Sequence, residues 1–257
     1  MQLPAAEALV ARLEILDSAG STNAELVRRV LEEPQAWPAP AVLLTDDQRA
    51  GRGRLGRVWS APAGASLAIS VLLRPRVPKE RLGWLSLAAG AAMTEALRGL
   101  GVPAAAKWPN DVLIRGRKVC GVLAEVLPDG SGVVIGSGLN HAATAEQLPV
   151  PTATSLAVEG GPTDPDLLVA AYLRRLLALV ADLERSGGDP EASGLRAAVL
   201  AVSGTVGRGV RVSLPDGSAL VGEAVGIDED GRVLVRDRAS GVISGVATGD
   251  VEHLRYE

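Results

Sequence analysis

The chain has 257 residues and a formal net charge of −4. That is long enough for one large domain or a large and a small one, and too acidic for a nucleic-acid binder that depends on phosphate contacts. One cysteine excludes an intrachain disulfide, and with two histidines it leaves too few soft ligands for a typical structural zinc site.

The N-terminus is not a basic stretch leading into a long apolar run, and no segment reaches about 18 uninterrupted apolar residues. A soluble, cytoplasmic protein with no membrane span is expected. Residues 12–20, RLEILDSAG, suggest a short strand and a turn. In STNAELVRRVLEE, 21–33, Ser21 or Thr22 sits in N-cap position, with apolar residues at helical spacing through Leu26, Val27 and Val30. Pro34, Pro38 and Pro40 then break the chain. AVLLTDDQ at 41–48 and SLAISVLLRP at 66–75 read as strands on either side of a glycine- and arginine-rich loop, RAGRGRLGRVWSAPAG. The longest helical pattern, 81–101, ends on a glycine stop. NDVLI, KVCGVLAEV and GVVIGSGLN are three further strands.

DPDLLVAAYLRRLLALVADLERSGG, 164–188, is helical by period and by its Asp-Pro start, and a shorter helix is expected before Gly204. After that the texture changes to short β-rich runs, GVRVSLP, SALVGEAVGID, GRVLVRD and GVISGVATGD. Asp-Gly pairs at 216–217 and 230–231 signal hairpin turns between them. The expected division is a large domain at 1–203 and a small β-barrel-like domain at 204–257.

Rare residues point to the chemistry. The chain has three lysines, at 79, 107 and 118, against twenty-three arginines, and three asparagines, at 23, 110 and 140. Two of the lysines and one asparagine fall in KWPNDVLIRGRK, 107–118. An ammonium is a compact charge on a flexible stem that an arginine fork does not replace near a small anionic centre. Pro109 is expected to force Trp108 toward an extended conformation. Asn110 and Asp111 then stand at a strand entrance, a place that suits a ligand or magnesium contact and equally suits a simple turn. If NDVLI and KVCGVLAEV form a hairpin around RGR, Lys107 and Lys118 approach the same end of a sheet.

The loop GRGRLGR, 51–57, sets Arg52, Arg54 and Arg57 among glycines that let backbone wrap a ligand. Guanidinium forks match carboxylate and phosphate oxygens. The loop lacks the order of a P-loop and the strand-to-helix setting of a dinucleotide fingerprint. A solvated surface loop and a nucleic-acid contact are the other readings of the same residues. Asn140, leaving a glycine-rich strand, has an amide that can pair with the N6 and N7 edge of adenine. Cys120, in an apolar run, is expected to be a buried thiol, and His141 to be structural.

STN, TDDQRAGRGRLGRVWSAPAG, SVLLRP, KWPNDVLIRGRKVCGVLAEV and VVIGSGLN, in that order, closely resemble biotin protein ligases, densely over 15–140. The resemblance implies an α+β catalytic domain, a mixed sheet flanked by helices as in class II aminoacyl-tRNA synthetases and lipoate ligases, followed by an SH3-like barrel. It also implies formation of biotinyl-5′-AMP from biotin and MgATP, then transfer of biotin to a lysine of a biotin carboxyl carrier protein, by a monomer or homodimer without nucleic acid. Carried over by position, Ser21, Thr22, Asn23, Gln48, Gly51 and Gly121 belong to the biotin pocket. Arg52, Gly53 and Arg54 form the loop over biotin and adenylate, with Lys118 at the biotin carboxylate and α-phosphate. Trp59, Lys107, Asn110 and Asn140 fall on the ATP side, and Asp111 would assist deprotonation of the acceptor amine. The STN motif starts at residue 21, too few residues after the start for a DNA-binding domain, so the ligase-only form is expected. A lipoate or octanoate transferring enzyme on the same fold is the nearest alternative.

Overall fold

The computed structural model describes residues 1–214, 217–247 and 249–254. In chain order the elements are α1 (Pro4–Glu7), β1 (Arg12–Ile15), α2 (Thr22–Glu32), β2 (Ala41–Thr45), β3 (Gly51–Arg52), β4 (Val58–Trp59), β5 (Ser66–Leu73), α3 (Trp84–Gly99), β6 (Ala104–Lys107), β7 (Asp111–Ile114), β8 (Arg117–Val126), β9 (Val133–Asn140), α4 (Pro165–Arg185), α5 (Leu195–Val202), β10 (Gly209–Ser213), β11 (Ala219–Ile227), β12 (Val233–Asp237), β13 (Ile243–Val246) and β14 (Asp250–His253). No helix among the described residues is long and apolar enough to cross a membrane.

Aliphatic runs buried on both faces make the central strands. The large sheet has seven strands in the order β1-β2-β5-β9-β8-β7-β6, with β1 and β2 parallel and the other neighbours antiparallel. Strand period sorts its side chains. Val42, Leu44, Val71, Leu73, Ile135 and Leu139 join α3 and α4 in the main core. Leu43, Leu72 and Val134 point the other way, to Leu26 and Val30 of α2 and to Trp37. The sheet is thus mixed and has helices on both faces.

The ends of the helices follow their caps. The Ser21 hydroxyl accepts from the Ala24 amide at 3.4 Å, so Ser21, not Thr22, is the N-cap of α2. Asp164 accepts from the amides of Asp166 and Leu167 at the start of α4. At the end of α3, Gly101 has φ +81°, which lets the Val102 amide turn back to the Leu97 carbonyl.

The C-terminal strands form an antiparallel sheet in the order β13-β12-β11-β10-β14. The Asp230–Gly231 pair makes the expected turn between β11 and β12, with Gly231 at φ +80°. For the other expected turn, Asp216 lies outside the described residues. Val210, Val212, Val233 and Val235 run continuously into the main core. The small sheet is docked by polar contacts too: Trp84 Nε1 donates to the Glu229 carbonyl at 2.9 Å and Trp108 Nε1 to the Gly231 carbonyl at 3.1 Å.

Several elements depart from the sequence reading. Trp108-Pro109-Asn110 is the turn of a hairpin in which Lys107 pairs with Asp111, and its Trp108–Pro109 bond is cis. Its first strand, β6, is three alanines and a lysine, residues of low strand propensity that are held by pairing with β7. The run 241–250 yields β13 and then β14, which returns to pair with β10.

Candidate active site

On the α2 face of the large sheet, β9 carries Gly136 and Gly138, the latter paired with Gly121 of β8, and a cavity of about 340 Å³ opens above them. That is within the range of small-molecule sites. Its walls come from the start of α2, the arginine loop, the β6–β7 turn, β8 and β14.

The floor is a hydrogen-bonded cluster. Gln48 Oε1 accepts from the Thr22 amide at 2.8 Å and from Thr22 Oγ1 at 3.0 Å. With that oxygen filled twice, Gln48 has its amide donors left to offer. Ser70, fully buried on β5, places its hydroxyl 2.8 Å from Thr22 Oγ1 and 2.6 Å from Asn23 Oδ1. Asn23 Nδ2 donates to the Leu123 carbonyl at 3.2 Å and to Glu125 Oε2 at 2.8 Å. Asn23 lines the cavity, but its amide is spent on the protein. An alanine Cβ at 136 would fall 2.4 Å from Asn23 Oδ1, and one at 138 would fall 2.7 Å from the Trp59 indole. The flat ring that the glycines of β9 admit is therefore the chain's own Trp59.

Five cations reach this one cavity: Arg52, Arg54, Arg57, Lys107 and Lys118, against the carboxylates of Asp111, Asp250 and Glu252. The loop arginines are tied to three different elements. Arg52 Nη2 meets Glu125 Oε1 at 3.0 Å, Arg54 Nη1 donates to Asn110 Oδ1 at 3.3 Å, and Arg57 pairs with Asp250 of β14. Burial pulls the pKa of Arg54 below the usual arginine value; Asp250 and Asp111 oppose that and Arg57 adds to it. The group stays charged nonetheless. Lys118 Nζ lies 2.5 Å from Asp111 Oδ1. Its backbone is held between β7 and a parallel bridge to residue 153, with its amide on the Thr152 carbonyl at 2.7 Å. Lys107 has no hydrogen-bond or ion-pair partner among the described residues, so its ammonium is the free cation of the set.

The RGR hairpin forms as expected, with a register shift between Val112 and Leu113, and it brings Lys107 and Lys118 to one cavity. Ser21, Thr22, Asn23, Gln48, Arg52, Gly53, Arg54, Trp59, Asn110, Asp111 and Gly121 join them there. Gly51 does not line it. A side chain at 51 would strike Gln48 Nε2 and the Trp59 carbonyl, both at 2.5 Å, so this glycine serves the packing of the loop. At Gly121 the space that a side chain would fill is taken by Lys118, whose Nζ would stand 2.9 Å from an added Cβ. Asn140 also stays outside: its Oδ1 accepts from Ser66 Oγ at 2.9 Å and its Nδ2 donates to the Thr154 carbonyl at 3.0 Å, so its amide ties the end of β9 to the next segment.

Sequence reasoning missed Ser70, Glu125 and the β14 wall, Asp250 to Glu252. A serine in the interior of an aliphatic strand was a usable signal for Ser70. No local signal marks β14, which arrives from the far end of the chain. Cys120 is buried, and burial pushes its thiol up to about 12, so it is no nucleophile. His141 is buried, with Nδ1 3.1 Å from the Thr163 carbonyl.

Residues 21–140 match the biotin/lipoate A/B protein ligase family, and residues 205–254 match the biotin protein ligase C-terminal domain. A biotin–[acetyl-CoA-carboxylase] ligase of Mycobacterium tuberculosis is 40% identical over 95% of this chain and 90% of its own length. The chain belongs to the biotin protein ligase family. The bifunctional ligase/repressor BirA of Escherichia coli is 31% identical over 94% of this chain and 73% of its own. Among solved structures, the biotin protein ligase of Aquifex aeolicus in complex with biotin and ATP superposes with a TM-score of 0.76 at 26% identity, covering 96% of this chain and all of the other. The family likeness spans both sheets, and so includes the strand that closes the cavity.

Proposed function

We propose that this chain joins biotin and ATP into biotinyl-5′-AMP and passes the biotin to a lysine of a biotin carboxyl carrier protein. The observation that carries the reading is the convergence of five cations, three from one loop and two from the strands on either side of β7, over one cavity with a hydroxyl- and amide-lined floor. Two anions must meet in the first step, since a carboxylate oxygen attacks the α-phosphorus while the bond to the β-phosphate oxygen breaks and pyrophosphate leaves. Screening their repulsion is the main task, and positioned cations in a cavity perform it.

Roles follow from position. Thr22 and Gln48 hold the ureido ring of biotin, with Gln48 donating because its carbonyl is already filled. Lys118, poised on Asp111, bridges the biotin carboxylate and the α-phosphate. Arg54 and Arg52 cover the same anions from the loop, and Lys107, without a partner among the described residues, takes the outgoing phosphates. Trp59 flanks the nucleotide side. Magnesium enters with the triphosphate as part of the substrate, as an ion that keeps water and phosphate ligands does. No covalent bond to the enzyme is required.

In the second step the acceptor amine attacks the acyl carbon and AMP leaves. The amine's proton passes to Asp111, whose carboxylate lies at the same cavity and is freed as Lys118 turns to the departing phosphate. Closure of the arginine loop keeps water from the mixed anhydride until the acceptor arrives. The test is a streptavidin blot after mixing the purified protein with a carrier domain, biotin and MgATP. A band that requires ATP supports the reading; labelling by lipoate or octanoate in place of biotin would move the assignment to the neighbouring branch of the family.

A further inference from the structure

Glu125 lies on the cavity face of β8, opposite Val134. Its carboxylate contacts two residues of unlike character. Oε2 accepts from Asn23 Nδ2 at 2.8 Å, and Arg52 Nη2 reaches Oε1 at 3.0 Å and Oε2 at 3.3 Å. Asn23 has one seat: its other amide proton is on the Leu123 carbonyl, its oxygen is on Ser70, and Gly136 leaves just enough room for it. Arg52 is different. Its side chain is 52% exposed, and it sits on a two-residue strand of the loop. The carboxylate between them, 29% exposed, joins a fixed point to the arginine loop.

We infer that Glu125 is a positioning residue that ties Arg52 of the loop to Asn23 of the pocket floor, holding the loop in register over the cavity before ligand arrives. A guanidinium has five donors, and among the described residues only Nη2 of Arg52 is engaged. Arg52 can therefore keep Glu125 and still present its remaining N–H groups to a carboxylate or phosphate. The tie aims the arginine without competing for it. This inference rests on the biotin-activating reading for its consequence in catalysis, and on geometry alone for its consequence in the loop.

The experiment is a double-mutant cycle of Glu125→Gln, Arg52→Gln and the pair. Glu125→Gln keeps a carbonyl for Asn23 and removes the charge that holds Arg52. Two readouts are taken: tryptic nicking of the ligand-free loop, which retains Arg49, Arg54 and Arg57 in every variant, and the biotin Kd by calorimetry. Glu125→Gln should raise nicking and weaken biotin by about threefold each, the scale of a half-exposed ion pair. Arg52→Gln should raise nicking as much, and adding Glu125→Gln to it should raise nicking no further. An equal effect of Glu125→Gln in both backgrounds would overturn the inference, because Glu125 would then serve Asn23 alone; no effect in either would overturn it as well. Should the wild type fail to make biotinyl-AMP, the proposed function falls, and nicking still decides the tie.

Discussion

Lys118→Ala separates chemistry from stability more cleanly than any other single change. The Lys118–Asp111 pair is 2.5 Å long but half in water, with side-chain exposures of 41% and 22%. Its loss should therefore cost only about 1 kcal/mol of folding free energy, or roughly 2–4 °C in Tm for a chain of this size. In the proposed reaction the same ammonium would act inside a cavity on charge that gathers during the transfer. Removing one such group costs on the order of 100- to 1,000-fold in rate, about 3–4 kcal/mol. The assay is pyrophosphate release at saturating biotin and MgATP, with thermal melts in parallel. Preformed biotinyl-AMP supplied to the same variant with a carrier domain bypasses the first step and should restore much of the labelling. Lys118→Arg should not rescue, because the long fork cannot fold into the notch above Gly121. Pyrophosphate release within a fewfold of wild type, in a variant that melts normally, would refute the reasoning.

Lys107→Met removes the one lining cation without a partner among the described residues, so stability should change by less than about 0.5 kcal/mol, while the KM for ATP rises about tenfold and the biotin Kd measured without ATP stays put. Gly136→Ala drives a Cβ to 2.4 Å from Asn23 Oδ1, in a side chain that cannot retreat; overpacking should cost about 1–3 kcal/mol and weaken biotin, read by urea unfolding and calorimetry. Gly138→Ala strikes Trp59 instead, and the loop can lift, so it should melt normally yet release biotinyl-AMP faster. Acid should destabilise the fold in a defined window. Burial lowers the pKa of His141 and of His253, the latter also facing Lys107 and Arg208. The unfolded chain then takes up protons first as the pH falls below about 6.5, so the urea midpoint should be lower at pH 5.5 than at pH 7.5, and less so in His253→Gln.

How much of this was legible in the chain depends on how local each signal is. The amphipathic period of 21–33, the glycine after α3 and the Asp-Pro start of α4 act within one turn of helix, and each element starts or stops where those residues direct. The hairpin around RGR was legible for the same reason, because its turn and both strands are contiguous. β6 was not legible, since three alanines carry no strand preference and gain one only from β7. Asn140 is a rare amide at a strand end, which suits a ligand and a structural tie equally, and the bonds it makes to Ser66 and Thr154 come from residues distant in sequence. The partners of the loop arginines were hidden on the same ground: Glu125 is 73 residues from Arg52 and Asp250 is 193 from Arg57. A sequence shows that arginines are gathered, and only the fold shows what restrains them.

β9 is one strand thick, with Ile135 and Leu139 pressed into the helical layer and Gly136 and Gly138 bare toward the cavity. The ceiling of the oily interior and the binding surface are therefore two sides of a single ribbon of backbone. A methyl group deleted below Ile135 lets that ribbon sag, and the seat above it deepens although no contact residue has changed. Pocket shape in this protein can thus be retuned from underneath, by substitutions that a survey of the visible lining would pass over.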